Sequence, residues 1–384
     1  MLFNSLLSLW LSRKGKTPQQ HFGTIDTRYN TLLCGGVTGS LAENNSLRFI
    51  TAKLRLAFDQ NTAALLLVND RQLLHTLQEH YGDGIGIFGV NQSFDPFDAC
   101  RSGNELLQLL EAAVEADRHK QTSHGSFNGV LSWCQILATI MEMYRYPMRL
   151  RSFSELAGML FTCAGVEDFS RQLGARIGQG SIPAALQQSM NRLWDQSLSA
   201  FQFFWNRFFG QLSMVQSERS VGTRGQLVLY LPFDNSDMLK AVLLAKLTLL
   251  CRRDGQYLTL LDMNVPLGKS AEVLLTDYSG QVTFGIYTQS LSSIAPCFSA
   301  LAGNLEQFVC LGVGGGDAQR ILQWYNTQRQ QWMMSLHPFG LGAGKSMTPQ
   351  YVAGDFTPQG IRDGGAMVYT RRKGQFKRIR QFMV

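Results

Sequence analysis

The chain has 384 residues, 45% of them hydrophobic and 16% charged, and a net charge of +7 from 35 basic and 28 acidic side chains. That length supports two or more core-forming units of ordinary globular composition. Seven scattered cysteines without a C-x-x-C pair argue against a disulfide framework or a zinc site. They read as reduced, mostly buried thiols of a cytosolic protein.

The chain opens with "MLFNSLLSLWLSRKGK", an apolar stretch of about ten residues before a basic cluster. A bilayer span needs roughly 20 apolar residues, and the charged start and cleavage site of a secretory signal are missing. A short interfacial anchor, a docking helix and an ordinary packed helix all fit residues 1–19. Localisation is therefore expected to be cytoplasmic, with attachment to the inner membrane only through this segment or a partner.

The stretch "NTLLCGGVTGSLAENNSLRFITAKL" follows, an apolar strand, a glycine-rich turn and a helix with Leu47, Ile50, Leu54 and Phe58 on one face. Phosphate-binding loops use that order, because the turn aims backbone N–H groups and a helix N-terminus at an anion. In the pattern G-x-x-x-x-G-K-[ST], the last three positions fall here on Leu41, Ala42 and Glu43. "AALLLVND" then reads as a buried parallel strand, and "GIGIFGV" as another. From 101 to 220 strand-like runs vanish and apolar residues recur at helical spacing, which predicts an all-α domain. Its last helix carries Phe201, Phe203, Phe204, Trp205, Phe208 and Phe209 as a core stripe. Strands return in "GQLVLYLPF", "YLTLLDMNV", "VTFGIYTQ", "QFVCLGV" and "GAMVYTRR", separated by helices such as "SDMLKAVLLAKLTLLCRR". The predicted organisation is an α/β domain over 20–100 and 221–384, mainly parallel, interrupted by the helical domain.

In this order the motifs resemble the type IV secretion coupling ATPases, the DNA-conjugation relatives of hexameric DNA translocases. "HFGTIDTRYNTLLCGGVTGS" is similar to that family's lead-in strand and glycine loop. "VNQSFDPFD" resembles its passage into the helical domain, "YLTLLDMNV" the strand before its Asp-Glu, "VTFGIYTQSLSSI" its sensor strand, and "GIRDGGAMVYTRRKGQF" its closing strand pair. The resemblance implies a RecA-like P-loop-type fold and a nucleotide-binding remnant at Gly36, Thr38, Gly39, Ser40, Ala42, Glu43, Asp262, Met263 and Gln289.

The departures fall on the chemistry. Active members use a loop lysine for the phosphates, a hydroxyl for Mg²⁺, a strand-end Asp behind the metal and a Glu that orients water. Here Ala42 and Glu43 replace lysine and hydroxyl, and Met263 stands where the Glu belongs; Asp262 and the sensor Gln289 persist. A second Gly-Lys-Ser at 344–346 lacks the pattern's first glycine, since Phe339 occupies that place, and Pro349 interrupts any following helix. Rescue of the pocket by Lys53 or Lys345 stays open. No pair among the six histidines has metal-ligand spacing, and no G-x-S-x-G elbow or Cys–His motif stands out.

The expectation is a non-hydrolysing, coupling-protein-like subunit or adaptor of a secretion or conjugation machine. Its partners would be protein components of that machine, including an active ATPase or a membrane subunit, in a homo- or hetero-oligomer. No cofactor is expected, ATP and Mg²⁺ entering only if the loop still functions. The alternatives are a divergent hexameric ATPase that moves DNA or protein, and a basic nucleic-acid-binding module. The last would use Arg371, Arg372, Lys373, Lys377, Arg378 and Arg380 of a C-terminal hairpin. Such a basic row is also what an exposed sheet edge carries against edge-to-edge pairing.

Overall fold

A computed structural model describes residues 26–37, 39–60, 62–68, 74–75, 77–79, 86–118, 124–178, 182–216, 226–230, 237–254, 257–336, 351–361 and 364–379. The N-terminal segment 1–19, Thr38, the Gly-Lys-Ser at 344–346 and Arg380 lie outside these residues. In chain order the elements are β1 (Thr31–Cys34), α1 (Leu41–Asp59), β2 (Ala63–Val68) and β3 (Gly86–Ile87). Then come helices α2 (Gly103–Asp117), α3 (His124–Met143), α4 (Leu150–Thr162), α5 (Val166–Ile177) and α6 (Ala184–Ser213). After them run β4 (Gln226–Tyr230), α7 (Asp237–Asp254), β5 (Leu258–Met263), α8 (Lys269–Asp277), β6 (Val282–Thr288) and α9 (Phe298–Asn304). The chain closes with β7 (Gln307–Cys310), α10 (Gly315–Leu336), β8 (Ala366–Thr370) and β9 (Gln375–Ile379).

The described strands form one sheet in the order β3-β4-β2-β5-β6-β1-β7-β8-β9. Pairing is parallel from β3 to β7 and antiparallel at β7–β8 and β8–β9. This is the mainly parallel α/β architecture that the alternation of patterns predicts. The strands are continuous apolar runs because both faces are covered; Leu32, Leu33, Cys34 and Leu65 to Val68 are all essentially inaccessible. Phe49, Ile50, Leu54 and Ala57 of α1 share one core cluster with Leu66, Val68, Leu261 and Val309. Lys53 of α1 runs over Gly285 of β6, where a Cβ would sit 2.7 Å from the lysine Cδ. A larger residue there would push the lysine stem aside.

Two units divide the chain: residues 1–87, 222–232 and 257–384 hold the sheet with α1 and α8 to α10, and residues 88–221 and 233–256 hold α2 to α7. The helical unit therefore includes α7, which the sequence reading places among the crossover helices of the α/β domain. The reason is packing that periodicity does not reveal. α7 lies against α2, Lys246 bonds Asp98 and the Asp95 carbonyl, and Arg253 bonds the Ala99 carbonyl.

Within the helical unit Phe201, Phe204, Trp205 and Phe208 of α6 are buried, with Phe153 4.8 Å from Trp205 between ring centres. Phe203 and Phe209 do not belong to that stripe; they are 61% and 42% exposed. Positions 201, 204, 205 and 208 follow the 3–4 spacing of one helical face; 203 falls off it, and 209, one turn after Trp205, lies at its edge with the two ring centres 6.0 Å apart. Phe203 instead lies under the Arg207 guanidinium at 4.3 Å. None of the seven cysteines forms a disulfide, and all but Cys163 are buried. Among the described residues no helix is long and apolar enough to cross a membrane.

Candidate functional site

In an open parallel sheet, ligands bind at the carboxyl ends of the strands, where loops from neighbouring strands converge. The sequence-predicted residues gather along that edge. β1 lies between β6 and β7, and β5 is one strand farther. Cys34, the last residue of β1, is level with Thr288 and Cys310, and Met263 is level with Tyr287. The glycine loop, the Asp262–Met263 pair and Gln289 thus lie on one rim. Arg371, Arg372, Lys373, Lys377 and Arg378 belong to the β8–β9 hairpin instead.

The glycine loop is strapped to its neighbours. The N–H of Gly35 donates to Thr288 O at 2.9 Å, and that of Gly36 to Gly312 O at 3.0 Å. Gly35 has φ +103°, and a Cβ there would sit 2.3 Å from Gly312 O. Glycine is required at this turn by conformation and by space. The Ser40 N–H donates to Val37 O at 2.9 Å.

The start of α1 is where this loop departs from a phosphate cradle. Ser40 Oγ accepts from the Glu43 N–H at 3.2 Å, and the Glu43 carboxylate reaches back to accept from the Gly39 N–H at 2.5 Å. This is a capping-box arrangement, shifted so that the carboxylate takes the N–H one residue before the cap. The sequence carries its signature, S-x-x-E over Ser40 to Glu43, which the comparison with phosphate loops passes over. The N–H groups of Gly35, Gly36, Gly39 and Ser40 are all satisfied from within the chain. An anion already sits at the helix N-terminus, and it is part of the protein.

The other positions are equally occupied. Ala42 is 3% and Met263 7% exposed, and both join Leu33 and Tyr287 in the core cluster. Asp262 is inaccessible, and its Oδ1 accepts from the Val265 N–H at 3.3 Å, capping the turn after β5. The Gln289 N–H donates to Asn264 Oδ1 at 3.0 Å. Asp317, in the first turn of α10, accepts from Ser290 Oγ and the Leu291 N–H and secures the segment after β6. Burial pushes the Tyr287 phenol above its usual range, and the nearby Glu43 charge pushes in the same direction.

Lys53 does not rescue the pocket. Its Nζ donates to Tyr29 O at 2.6 Å, at the end of β1 opposite the glycine loop. Among the described residues no group of three His, Cys, Asp or Glu side chains is placed to hold a metal ion. The residues present do not fit Mg-ATP. A carboxylate within about 4 Å of a phosphate oxygen costs about 4 kcal/mol at an effective dielectric of 20, close to a thousandfold in affinity. No cation stands at Ala42 to offset it.

The tail hairpin is built as predicted, with a turn at 371–374 and Gly374 at φ +60°. Met367, Tyr369 and Phe376 are buried. Part of its charge is already engaged: Arg371 bonds Gly303 O, Arg378 pairs with Asp355, and Arg372 lies 5.9 Å from the Tyr29 ring centre. Lys373 and Lys377 are exposed.

No protein-family profile matches the chain, and no curated protein matches it. Among solved structures, the chain is similar to the bacterial conjugative coupling protein TrwBdeltaN70 in its unbound monoclinic form. The identity is 13% and the TM-score 0.49, covering 85% of this chain and 80% of that one. It is also similar to VirB4 of Thermoanaerobacter pseudethanolicus, at 10% identity and TM-score 0.48, covering 94% of this chain and 91% of that one.

Proposed function

We propose that the protein is a non-hydrolysing subunit or adaptor of a conjugative-transfer or secretion machine, on a P-loop-type fold whose nucleotide site has become structural. The observation that carries this reading is the Glu43 carboxylate on the Gly39 N–H, in the place where a phosphate oxygen would accept. The burial of Ala42 and Met263 in the apolar core supports it, because neither the charge-neutralising nor the water-orienting group of a hydrolase is present. The link to conjugation and secretion rests on the ordered motifs of the sequence. With hydrolysis gone, the retained helical unit acts through contacts with other proteins of the machine.

Mg-ATP at millimolar concentration should leave the unfolding midpoint unchanged, and no steady phosphate release should appear. Several degrees of stabilisation or measurable turnover would refute the reading. The double variant Ala42→Lys with Glu43→Thr removes the internal anion and restores a cation, and it should gain measurable Mg-ATP affinity.

A further inference from the structure

The connection between α3 and α4 carries arginines where local structure favours other residues. α3 ends in a Schellman motif: the Tyr146 N–H donates to Met141 O at 2.9 Å and the Arg145 N–H to Glu142 O at 3.2 Å. That puts Arg145 in the left-handed position, at φ +51°. Glycine is preferred there, because a Cβ is strained in this conformation. An arginine one turn earlier would meet the α3 dipole equally well without the strain. Arg149 is the N-cap residue of α4, and its side chain makes no capping hydrogen bond. Ser, Thr, Asp and Asn are preferred at that place; the Leu150 N–H is met instead by the Asp95 carboxylate at 3.1 Å. Arg151 follows in a first turn that holds no acid, and the positive end of the helix dipole repels both cations. The charges are also open to solvent. Arg145 and Arg149 are exposed and form no ion pair among the described residues. Glu142, next to them in sequence, has its carboxylate on the Gly103 N–H at 3.0 Å. The Arg151 side chain is 91% exposed, and its partner Glu155 is shared with Arg176. Met143 is 45% exposed, and Tyr144, Tyr146 and Met148 are partly so.

We infer that this loop docks an acidic protein segment that also carries apolar side chains, with Arg145, Arg149 and Arg151 pairing to its carboxylates. Residues that local physics disfavours persist where function retains them. Arginine, tyrosine and methionine are the residue types enriched at protein interfaces, and a guanidinium pairs a carboxylate through two parallel hydrogen bonds. The three arginines span six residues of chain, no more than about 20 Å, a length that a short extended segment covers. A nucleic-acid surface carries a basic excess over a whole domain face, whereas the helical unit holds as many acidic as basic residues. The charge here is therefore local, and it complements a small acidic partner. The inference rests on the proposed role of the helical unit in protein contacts, not on the loss of hydrolysis.

The test is fluorescence anisotropy and thermal unfolding of the full chain. The probes are a short labelled peptide of Asp, Glu and Leu, the same peptide with Asn and Gln for its acids, and labelled oligo-dT. The wild type should bind the acidic peptide, less tightly as salt rises, and bind the other two more weakly. Arg145→Gly and Arg149→Ser should each weaken the acidic peptide by about tenfold, the value of one hydrogen bond to a charged group. Both should unfold at a temperature no lower than the wild type, since each restores the locally preferred residue. Arg151→Gln changes a highly exposed side chain and should weaken the peptide in the same sense, which keeps the binding test if another variant does not fold. Lys373→Ser with Lys377→Ser, exposed cations of the sheet unit, should leave peptide affinity unchanged. Mg-ATP turnover is measured alongside, so that loss of this inference and loss of the non-hydrolysing reading are separate results. No binding of the acidic peptide by the wild type, equal binding of the amide peptide, or tighter binding of oligo-dT would overturn the assignment. So would unchanged affinity in the arginine variants, or midpoints below the wild type in both Arg145→Gly and Arg149→Ser.

Discussion

Replacing Lys53 by methionine should stabilise the sheet unit at neutral pH and remove part of its pH dependence. Lys53 is 3% exposed, and burial lowers its pKa from 10.5 to about 7, opposed by the charges of Glu306 and Asp26. That displacement corresponds to about 5 kcal/mol, at about 1.4 kcal/mol per pH unit. It is an upper figure for the cost of keeping the ammonium where it is below pH 7. Methionine is unbranched and adaptable, so the packing across Gly285 survives. The lost hydrogen bond is worth about 1 kcal/mol, and Tyr29 O keeps a second donor, Thr31 Oγ1 at 2.9 Å. The upper figure of about 5 kcal/mol already contains the attraction to Glu306 and Asp26, and with the lost hydrogen bond the expected net gain is about 2–3 kcal/mol at pH 7. The direction with pH follows from proton binding. Between about 7 and 10.5 the unfolded chain holds the Lys53 proton and the folded chain does not, so wild-type stability rises with pH across that window. The advantage of the methionine variant should therefore be largest near pH 7 and shrink toward 10.5. Denaturant unfolding of both proteins across that window, followed by fluorescence, measures it. A variant less stable at pH 7, or a difference that does not change with pH, would refute the reasoning.

Gly35→Ala should destabilise the sheet unit by about 2 kcal/mol or more, since the left-handed conformation alone costs roughly 1–2 kcal/mol and the new Cβ meets a backbone carbonyl. Thermal unfolding checks it, and a neutral result would mean the loop differs from the geometry described. For nucleic acid, the hairpin should bind duplex DNA only weakly, at about 10⁻⁴–10⁻⁶ M at physiological salt. With Arg371, Arg372 and Arg378 engaged, no more than about three phosphates are neutralised, so the log–log salt slope should be no steeper than about −3. Anisotropy over a salt series, wild type against serine at Arg371, Arg372, Lys373, Lys377, Arg378 and Arg380, reads both values; nanomolar, salt-resistant binding would contradict them.

Much of this protein is written locally. The change from buried apolar runs to 3.6-residue periodicity and back marks where the sheet stops and resumes, because a strand covered on both faces and an amphipathic helix need different residue spacings. The tail hairpin is legible for the same reason: its apolar residues and its glycine turn lie within 15 residues of one another. The capping box at Ser40 to Glu43 is also a local pattern, spanning one helical turn. It explains why an apparently damaged phosphate loop is a well-made helix start.

What the sequence could not decide depends on partners far away along the chain. α7 has the same apolar character as a crossover helix, and only its packing on α2 and the bonds of Lys246 and Arg253 to residues near 95–99 assign it to the helical unit. Phe203 and Phe208 are the same residue type, yet one lies under Arg207 at the surface and the other in the core, because a helix buries only the face its neighbours cover. Lys53 and Arg48 look alike in sequence, two basic residues on one helix. The fold turns Lys53 toward Tyr29 O, a neutral acceptor that leaves its charge poorly compensated, and leaves Arg48 Nη1 buried with no acceptor among the described residues. Charge and spacing are properties of the sequence, but desolvation belongs to the tertiary structure, since it is set by whatever other segments of the chain exclude water from that side chain.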